Sequence, residues 1–519
     1  MTDAAPDGAP AGDGSLLGGR AAPWVAGLLA AMAVFLVWGS LRAVPVMHDE
    51  WAYWLQADQY AHFRWKSAPP PIPEFFEQLY VLVTPVFAAK YPPGHALTVA
   101  GGFVLGLPAL VPLLLTACTG ALVFALARRA AGAWTGALTW LLWIGTFGNL
   151  RFRASYFSET TTSVCWLVAW WALLEWRETR RQRWMLAMAF ACGWGAITRP
   201  ATMFVFAIPL GAVVLRDVVA GKRWHDLALG VAGGLAVLAI LPLWSTRTVG
   251  NTGKNPLAAY TEQYLPFDVP GFALSSVPPI RALPPEMERV RGFLRAAKQA
   301  QVELPSFDTA MSRVMTILRD LFAGWRLPFG AAFVIGLFTL GAPGWFAFGT
   351  SVLLMASYLS QAHTADWAIY YLETFPVVAF TAAMGVRAVG ERLVARGVVR
   401  SGAAPPRPLL LIAAAVAGIL LVRDVKVARG VLDRVAAKPR SFQAAVRGLP
   451  KRPNLIFVRY AERRSMHISL VANAGVLDGA ASWIVHDRGP ENARLMAAAP
   501  GRTAYLFDEA TSEFREMPR

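Results

Sequence analysis

The chain reads as a ladder of apolar runs separated by short basic segments. The runs fall near residues 24–41, 108–127, 131–148, 160–176, 184–197, 201–215, 227–244, 327–340, 345–360, 368–386 and 409–422. A spanning helix needs about 20 mainly apolar residues. The pattern therefore predicts a polytopic α-helical membrane protein with about 11 spans. Between residues 327 and 360 two readings stay open: two short spans turning at "GAPG", or one span plus a re-entrant piece. Two polar intervals, 42–107 and 246–326, interrupt the ladder as external loops of a transmembrane domain over 23–422. In the second, Phe307, Met311, Val314, Met315, Leu318, Leu321, Phe322 and Trp325 share one helical face, which predicts an amphipathic helix on the membrane surface. Beyond residue 422 the composition turns polar. The segments "NLIFVRYA", "MHISLVANA", "ASWIVHDRG" and "RTAYLFDEATSEFRE" alternate β-like runs with turns, predicting a small α/β domain over 423–519.

Composition fixes the solvent. Apolar residues make up 55% of 519 and charged residues 16%, which leaves too little polar surface for a water-soluble chain of this size. The formal net charge of +16 does not point to nucleic acid, because Arg and Lys cluster in short segments between apolar runs. "ALARRA", "EWRETRRQRW", "LRDVVAGKRW" and "VRAVGERLVARGVVRSG" are read as cytoplasmic. The segment "HDEW", the 246–326 loop and the C-terminal domain then lie outside the cell (inner) membrane. Residues 1–22, acidic and rich in Gly and Ala, predict a disordered cytoplasmic tail before an uncleaved anchor. Cys118, Cys165 and Cys192 sit within apolar runs and read as packing residues.

Ionisable groups beside lipid are costly, so their positions are informative. Those on this chain fall at the outer ends of the runs: His48, Asp49 and Glu50; Lys90 in "AAKYPPGHAL"; Arg151, Arg153 and Glu159 in "LRFRASYFSETTT"; Arg199 in "ITRPAT"; and His363, Asp366 and Glu373 in "QAHTADWAIYYLETFP". The runs flanking Arg199 hold only about 14 residues each, roughly 21 Å of helix against a 30 Å core. The Arg199–Pro200 turn is thus expected to sit in a cavity, where a phosphate would match its charge. Simpler readings stand beside these. Arg151 or Arg153 could snorkel to the headgroups, Glu159 could cap its helix, and His363 could be a packing residue. His467 and His486 read as surface residues of the C-terminal domain.

The order of an acidic "DE" pair after the first run, "YPPG" about 40 residues on, "RASYFSET", and a "TRP" turn between helices resembles the C-type glycosyltransferase superfamily. The pattern is similar to protein O-mannosyltransferases and to the aminoarabinose transferase that modifies lipid A. The resemblance covers about residues 1–422. It implies a polyprenyl-phosphate sugar donor and a catalytic carboxylate in the first external loop. Asp49 matches that carboxylate and Glu50 the acid beside it. Lys90 falls close to a donor-phosphate lysine, with Tyr91 inserted before the prolines, and Arg199 stands where many relatives carry Lys. Trp367 stands where a basic residue is common.

The residues suit that chemistry on their own terms. A base must take the acceptor's hydroxyl proton, and Asp49 is available. Cations must stabilise the departing phosphate, a role open to Lys90, Arg153 and Arg199. One carboxylate suffices for a single displacement with inversion. Tyr260 and Tyr264 in "NPLAAYTEQY" are expected on the acceptor side, with His48, Glu159, His363 and Asp366 as further acceptor or metal candidates. His48, Asp49, Glu50, Glu159 and His363 could assemble a divalent cation site across helices, although no ligand spacing specifies one. The acceptor is a glycan, a glycolipid or a protein. The alternative class is a lipid or sugar transporter or flippase, which would carry its charges near the midplane rather than on one side.

Overall fold

Each of the eleven apolar runs folds mainly as helix, and the helix ends fall where the sequence places proline and glycine. The computed structural model describes residues 17–323, 326–398, 407–450, 453–462 and 464–518. Helix α1 (Ala22–Trp38) carries Pro23 in its first turn, where a missing N–H costs nothing, and stops at Gly39 in the left-handed conformation. Then follow α2 (His48–Ala61), a two-stranded ribbon of β1 (Val81–Leu82) and β2 (Ala88–Ala89), and α3 (Gly94–Val104). The bundle continues with α4 (Leu110–Ala131), α5 (Ala133–Ile144), α6 (Phe147–Arg153), α7 (Glu159–Thr179), α8 (Gln182–Ala196), α9 (Pro200–Gly221), α10 (Trp224–Leu238) and α11 (Ile240–Val249). The second loop holds α12 (Pro256–Tyr264), α13 (Pro285–Glu303) and α14 (Ser306–Phe322). The bundle closes with α15 (Leu327–Leu337), α16 (Ala342–Ser357), α17 (Phe375–Ala395) and α18 (Arg407–Gly448).

Among the described residues, six helical stretches are long and apolar enough to cross a membrane: Leu110–Ala131, Pro200–Gly221, Trp224–Val249, Ala342–Ser360, Ala368–Ala395 and Pro408–Gly448. Helices α1, α3, α5 and α15 are apolar but shorter. The shortfall against about 11 expected spans is one of length. The 12 residues of α5 reach only about 18 Å. Helix α7 opens on Glu159 and four hydroxyl residues, which shortens its apolar stretch. Residues 327–360 form two helices broken before Ala342. Close helix approaches use small residues. Any Cβ at Gly336 would collide with the Thr381 carbonyl, and one at Gly385 with the Ala332 carbonyl, so α15 and α17 touch backbone to backbone.

Several expectations change here. Residues 1–16 of the tail lie outside the described residues, but Leu17–Ala21 are ordered as a turn, with Arg128 Nη1 donating to the Leu17 and Gly19 carbonyls at 3.3 and 2.9 Å. The 42–107 interval is built of α2, the ribbon and α3 rather than open loop. On α14 the expected apolar face is divided: Phe307, Met311 and Met315 are exposed, whereas Leu321 and Phe322 pack inward with Ile317. Trp325 of that face lies outside the described residues. The 422/423 boundary falls inside the 42-residue helix α18, and the sheet starts only at β3 (Asn454–Arg459).

The sheet adds β4 (Ser482–His486), β5 (Thr503–Asp508) and β6 (Glu513–Glu516) in the order β4-β3-β5-β6, with helix α19 (Asn492–Ala498) between β4 and β5. Strand β3 is parallel to β4 and β5, and β6 is antiparallel to β5. The segment "MHISLVANA" is not a strand; its Ile468 makes one antiparallel bridge to Met47. Leu455, Phe457 and Val485 of the sheet share a core with Phe75, Phe76, Phe87, Tyr260 and Tyr264 of the two loops. That buried apolar area, with about 25 cal/mol for each Å² removed from water, seats the sheet on the loops.

Gly475 marks the tightest docking point. Its N–H donates to Asp58 Oδ2 at 2.8 Å, and its carbonyl accepts from Gln59 Nε2 at 3.0 Å and Ser67 Oγ at 2.5 Å. A Cβ there would meet the Leu55 carbonyl and lie 2.9 Å from the Gln59 nitrogen. Gly475→Val should therefore lift the C-terminal region from α2 at a cost of about 1–3 kcal/mol. Thermal unfolding in detergent checks this, and an unchanged midpoint would contradict the docking.

Candidate active site

Four helix junctions meet at one end of the bundle: α1 to α2, α6 to α7, α8 to α9, and α16 to α17. Glu50 ties the first two together. Its Oε2 accepts the Val46 and Met47 N–H groups at 3.0 and 2.9 Å, and its Oε1 accepts the Tyr156 N–H at 3.1 Å. As the third residue of α2 reaching back to the N-cap Met47, it makes half of a capping box. Glu50 is thus fully engaged in positioning and does not line the cavity, contrary to its expected place beside Asp49.

Asp49, one step along the same helix, does line it. The cavity measures about 970 Å³ and gathers Asp49 from α2, Lys90 and Tyr91 before α3, Arg151 from α6, Glu159 from α7 and Arg199 before α9. Asp268, Asp366, Trp367, Tyr370 and His467 complete its walls. Tyr91 donates its phenol proton to Asp49 Oδ1. Burial raises the Asp49 carboxyl above the ordinary carboxylate range; the Tyr91 hydrogen bond and the Lys90 charge oppose that rise. His48 also lines the cavity, but its Nε2 is bonded to the Met466 carbonyl at 2.9 Å, and burial holds its pKa down at about 4.

Lys90 stands in a cage of phenol rings. Its Nζ lies 4.3 Å from the centre of the Tyr80 ring, 5.2 Å from Tyr260 and 5.3 Å from Tyr91. No carboxylate lies within ion-pairing distance of it among the described residues, and burial lowers its pKa. Ring faces attract the ammonium without neutralising it, so it can still meet an anion.

The arginines divide differently from the sequence reading. Arg153 is fully buried away from the cavity, with Nε on Asn149 Oδ1 at 2.8 Å and its guanidinium over the Trp143 ring. Arg151 takes the place expected of Arg153: it lines the cavity, rests over the Phe152 ring, and has no ion-pair partner among the described residues. Arg199 lines the cavity, but its anion is Glu159, with further bonds to Thr202 Oγ1 at 3.3 Å and Tyr358 Oη at 2.6 Å. The expectation that two short helices sink this turn fails on one side, because α9 has 22 residues. What holds Arg199 is the close seat of Gly94, whose N–H bonds the Ile197 carbonyl at 2.8 Å and where a Cβ would lie 2.9 Å from the Ile197 carbonyl carbon.

Tyr260 and Tyr264 do not face the cavity. They are buried, stacked at 4.6 Å, and bonded through their hydroxyls to the Tyr80 N–H and to Glu77. The cavity wall from α12 is instead Leu257, Ala258, Thr261 and Glu262. His363 is a packing residue, with Nε2 on Tyr371 Oη at 2.8 Å and Nδ1 on the Thr364 carbonyl at 2.9 Å. The set proposed for a divalent cation does not converge, and no other three His, Cys, Asp or Glu do so among the described residues. His467 and His486 are not surface residues. His467 lines the cavity, and His486 is buried between the Glu77 carbonyl and Glu286.

Tyr91 and His467 are the lining residues to which sequence reasoning assigned no site role; Asp268, expected on the acceptor side with Glu262, does line the cavity, and so does Arg151. Tyr91 had a signal, an aromatic directly between Lys90 and the prolines. Nothing local marks His467, which arrives from the far end of the chain.

A helical bundle with spans apolar enough to cross a membrane and a cluster of charged side chains in the cavity where α2 meets it fits the resemblance to the C-type glycosyltransferase superfamily, and the comparisons support that resemblance. The family model described as dolichyl-phosphate-mannose-protein mannosyltransferase matches residues 92–245. The crystal structure of ArnT from Cupriavidus metallidurans bound to undecaprenyl phosphate is similar in fold, with a TM-score of 0.57 and 14% identity over 94% of this chain and 93% of that one. The apo crystal structure of ArnT from the same organism matches over the same shares, with a TM-score of 0.55 and 14% identity. No curated protein matches the chain.

The two arginines of α6 separate by experiment. Arg153→Ala should lower the unfolding temperature, since it leaves Asn149 and the Trp143 ring without their buried partner, at a cost of about 1–3 kcal/mol. Arg151→Ala should change stability by about 0.5 kcal/mol or less. The reverse pattern in thermal unfolding would show that the two are misassigned.

Proposed function

We propose that the chain is a membrane glycosyltransferase that moves a sugar from a polyprenyl-phosphate donor to an acceptor hydroxyl outside the cytoplasm. The observation that carries the proposal is the meeting in one cavity of Asp49 with two cations, Lys90 and Arg151, that have no carboxylate within ion-pairing distance among the described residues. The family match and the shared fold with ArnT, crystallised with undecaprenyl phosphate, support the lipid-linked donor. The basic segments at the α4–α5, α7–α8 and α9–α10 junctions lie at the opposite helix ends from Asp49, which supports an extracytoplasmic cavity by the positive-inside rule.

In this reading Asp49 takes the proton from the acceptor hydroxyl. The hydroxyl oxygen bonds the anomeric carbon from the face opposite the phosphate. The bond from that carbon to the phosphate oxygen breaks, its electron pair stays on the phosphate, and the sugar is inverted. Lys90 and Arg151 stabilise the charge left on the phosphate. Arg199, already neutralised by Glu159, holds the wall rather than supplying free charge. A raised carboxyl pKa makes Asp49 a stronger base near neutral pH.

Asp49→Asn keeps the side chain's shape and removes its basicity. Turnover should fall about 10²–10⁴-fold with unchanged donor binding, measured with radiolabelled lipid-linked sugar. Wild-type turnover by this variant would end the assignment.

The pH profile tests the same carboxylate through Tyr91. The phenol hydrogen bond lowers the Asp49 pKa, so its loss raises it. The base works only when deprotonated, so activity drops as pH falls through that pKa. Tyr91→Phe should shift the acid limb of kcat/KM to higher pH while the protein stays folded. A limb that stays put or moves down would separate Tyr91 from Asp49.

A further inference from the structure

A second cavity lies apart from the first and shares none of its lining residues. It measures about 430 Å³ and is walled by apolar side chains of α4, α7, α9, α16 and α17, among them Trp170, Leu173, Val213, Ala347 and Phe380. Among the described residues its charged lining is Arg177 and Arg216. Both are bound to one carboxylate, Asp217: Arg177 Nε to Oδ2 at 2.7 Å, and Arg216 Nη2 to Oδ1 at 2.8 Å. Two guanidiniums sharing one carboxylate leave one positive charge in excess, and both arginine side chains remain substantially exposed, at 43% and 64%.

The distance from the first cavity is set by the helices. Arg177 lies 18 residues along α7 from Glu159, about 27 Å at helical rise. Arg216 lies 16 residues along α9 from Pro200, about 24 Å. The two arginines thus mark the far end of the same helix pair that begins at the Glu159–Arg199 ion pair. This end also carries the basic junctions "RETRRQRW" and "RDVVAGKRW". The apolar walls on α7 run from Leu167 to Arg177, about 15 Å, which is half of a 30 Å hydrocarbon core. At the arginine end the short helix α15 stops at Leu337 and the chain turns into α16, whose first residues Ala342, Pro343 and Gly344 also line the crevice.

We infer that this crevice binds one anionic glycerophospholipid of the leaflet opposite the Asp49 cavity. An acyl chain fills the groove between α7, α9, α16 and α17, and the phosphate group sits on Arg177 and Arg216. Charge complementarity selects the headgroup: a lipid with a net negative head satisfies the uncompensated guanidinium, and a zwitterionic head brings its own ammonium into a basic neighbourhood. Depth selects the chain, since one leaflet of helix accommodates one acyl chain and not a long polyprenyl tail. The inference does not depend on the proposed glycosyl transfer, because it concerns other residues at the other end of the bundle.

Photo-crosslinking tests it on the full-length protein in mixed micelles. The probe is phosphatidylglycerol bearing a diazirine in one acyl chain, with the matching phosphatidylethanolamine probe as control. Crosslinks should map by mass spectrometry to Trp170–Leu174 and Ala342–Ala347, with unlabelled phosphatidylglycerol competing. In the double variant Arg177→Gln, Arg216→Gln, crosslinking at these peptides should fall about tenfold, the loss expected for one charge-assisted contact. Ala347→Phe fills the groove and leaves the arginines and Asp217 intact, and it should give a similar loss even where the double variant folds poorly. Equal labelling by the phosphatidylethanolamine probe, or labelling that survives Ala347→Phe, would reduce the crevice to ordinary annular lipid contact and overturn the inference. Competition by inorganic phosphate alone would also overturn it, because the acyl groove would then contribute nothing.

Discussion

The Glu50 carboxylate, accepting three main-chain N–H groups from two separate parts of the chain, is the constraint on which the Asp49 cavity rests. A hydrogen bond to a charged group contributes about 1.5–3 kcal/mol, and a buried carboxylate stripped of such bonds is far more costly still. The three bonds therefore lock the exit of α1, the first turn of α2 and the turn that starts α7 into one unit. Everything on α2 inherits that orientation. Asp49 is turned into the cavity, Tyr53 Oη donates to Ser158 Oγ at 2.9 Å, and Asp58 and Gln59 meet Gly475 on the far side. The same turn fixes Glu159, which in turn holds Arg199.

Much of this was legible in the sequence, and the limits are geometric. Apolar runs of helical length gave helices, and the order of acidic and basic groups at their ends placed Asp49, Lys90, Glu159, Arg199 and Asp366 in one cavity. What the pattern could not supply was the face. Adjacent residues on a helix diverge by about 100°, so Asp49 and Glu50 point to different surroundings although both are acids at the same height. Arg151 and Arg153, two residues apart, point nearly opposite ways. Tyr260 and Tyr264 stack on one face of α12, while Leu257 and Thr261, one turn apart on a neighbouring face, meet the cavity. Chain-distant contributions were also invisible. His467 reaches the cavity because the sheet packs on a core of loop aromatics that no local pattern joins to it.

Two ways of holding a buried cation stand side by side. Arg199 is paired with a carboxylate and two hydroxyls, so its charge is spent on structure. Lys90 is held by ring faces, which stabilise an ammonium by about 0.5–2 kcal/mol, with the Asp268 and Asp49 charges near it but no carboxylate in ion-pairing distance among the described residues. Burial meanwhile lowers its pKa, which makes the charge more costly to keep while the cavity is without an anion. On the proposed reading an arriving phosphate would oppose that lowering, since a negative neighbour favours the protonated amine. The cage thus gives Lys90 a fixed position at the cavity wall, and one of its rings, Tyr260, is itself held by stacking on Tyr264.

The division between the ends of the bundle follows from the same economy of charge. Helices α7 and α9 each carry ionisable residues at both ends and almost none between, because a charge in the middle of an apolar helix has no partner. At one end the charges are drawn together by junctions that converge on a large polar cavity. At the other they stay near the surface, where two arginines and one aspartate brace the helix pair. Helices clamped by ion pairs at both ends resist sliding along their axes, and sliding is the motion that would disturb the height of Arg199 relative to Asp49. On the proposed reading the substrate is half lipid and half sugar, so the reacting bond must be held at a fixed depth. A rigid pair of braced helices beneath the cavity supplies that depth without any group of its own entering the chemistry.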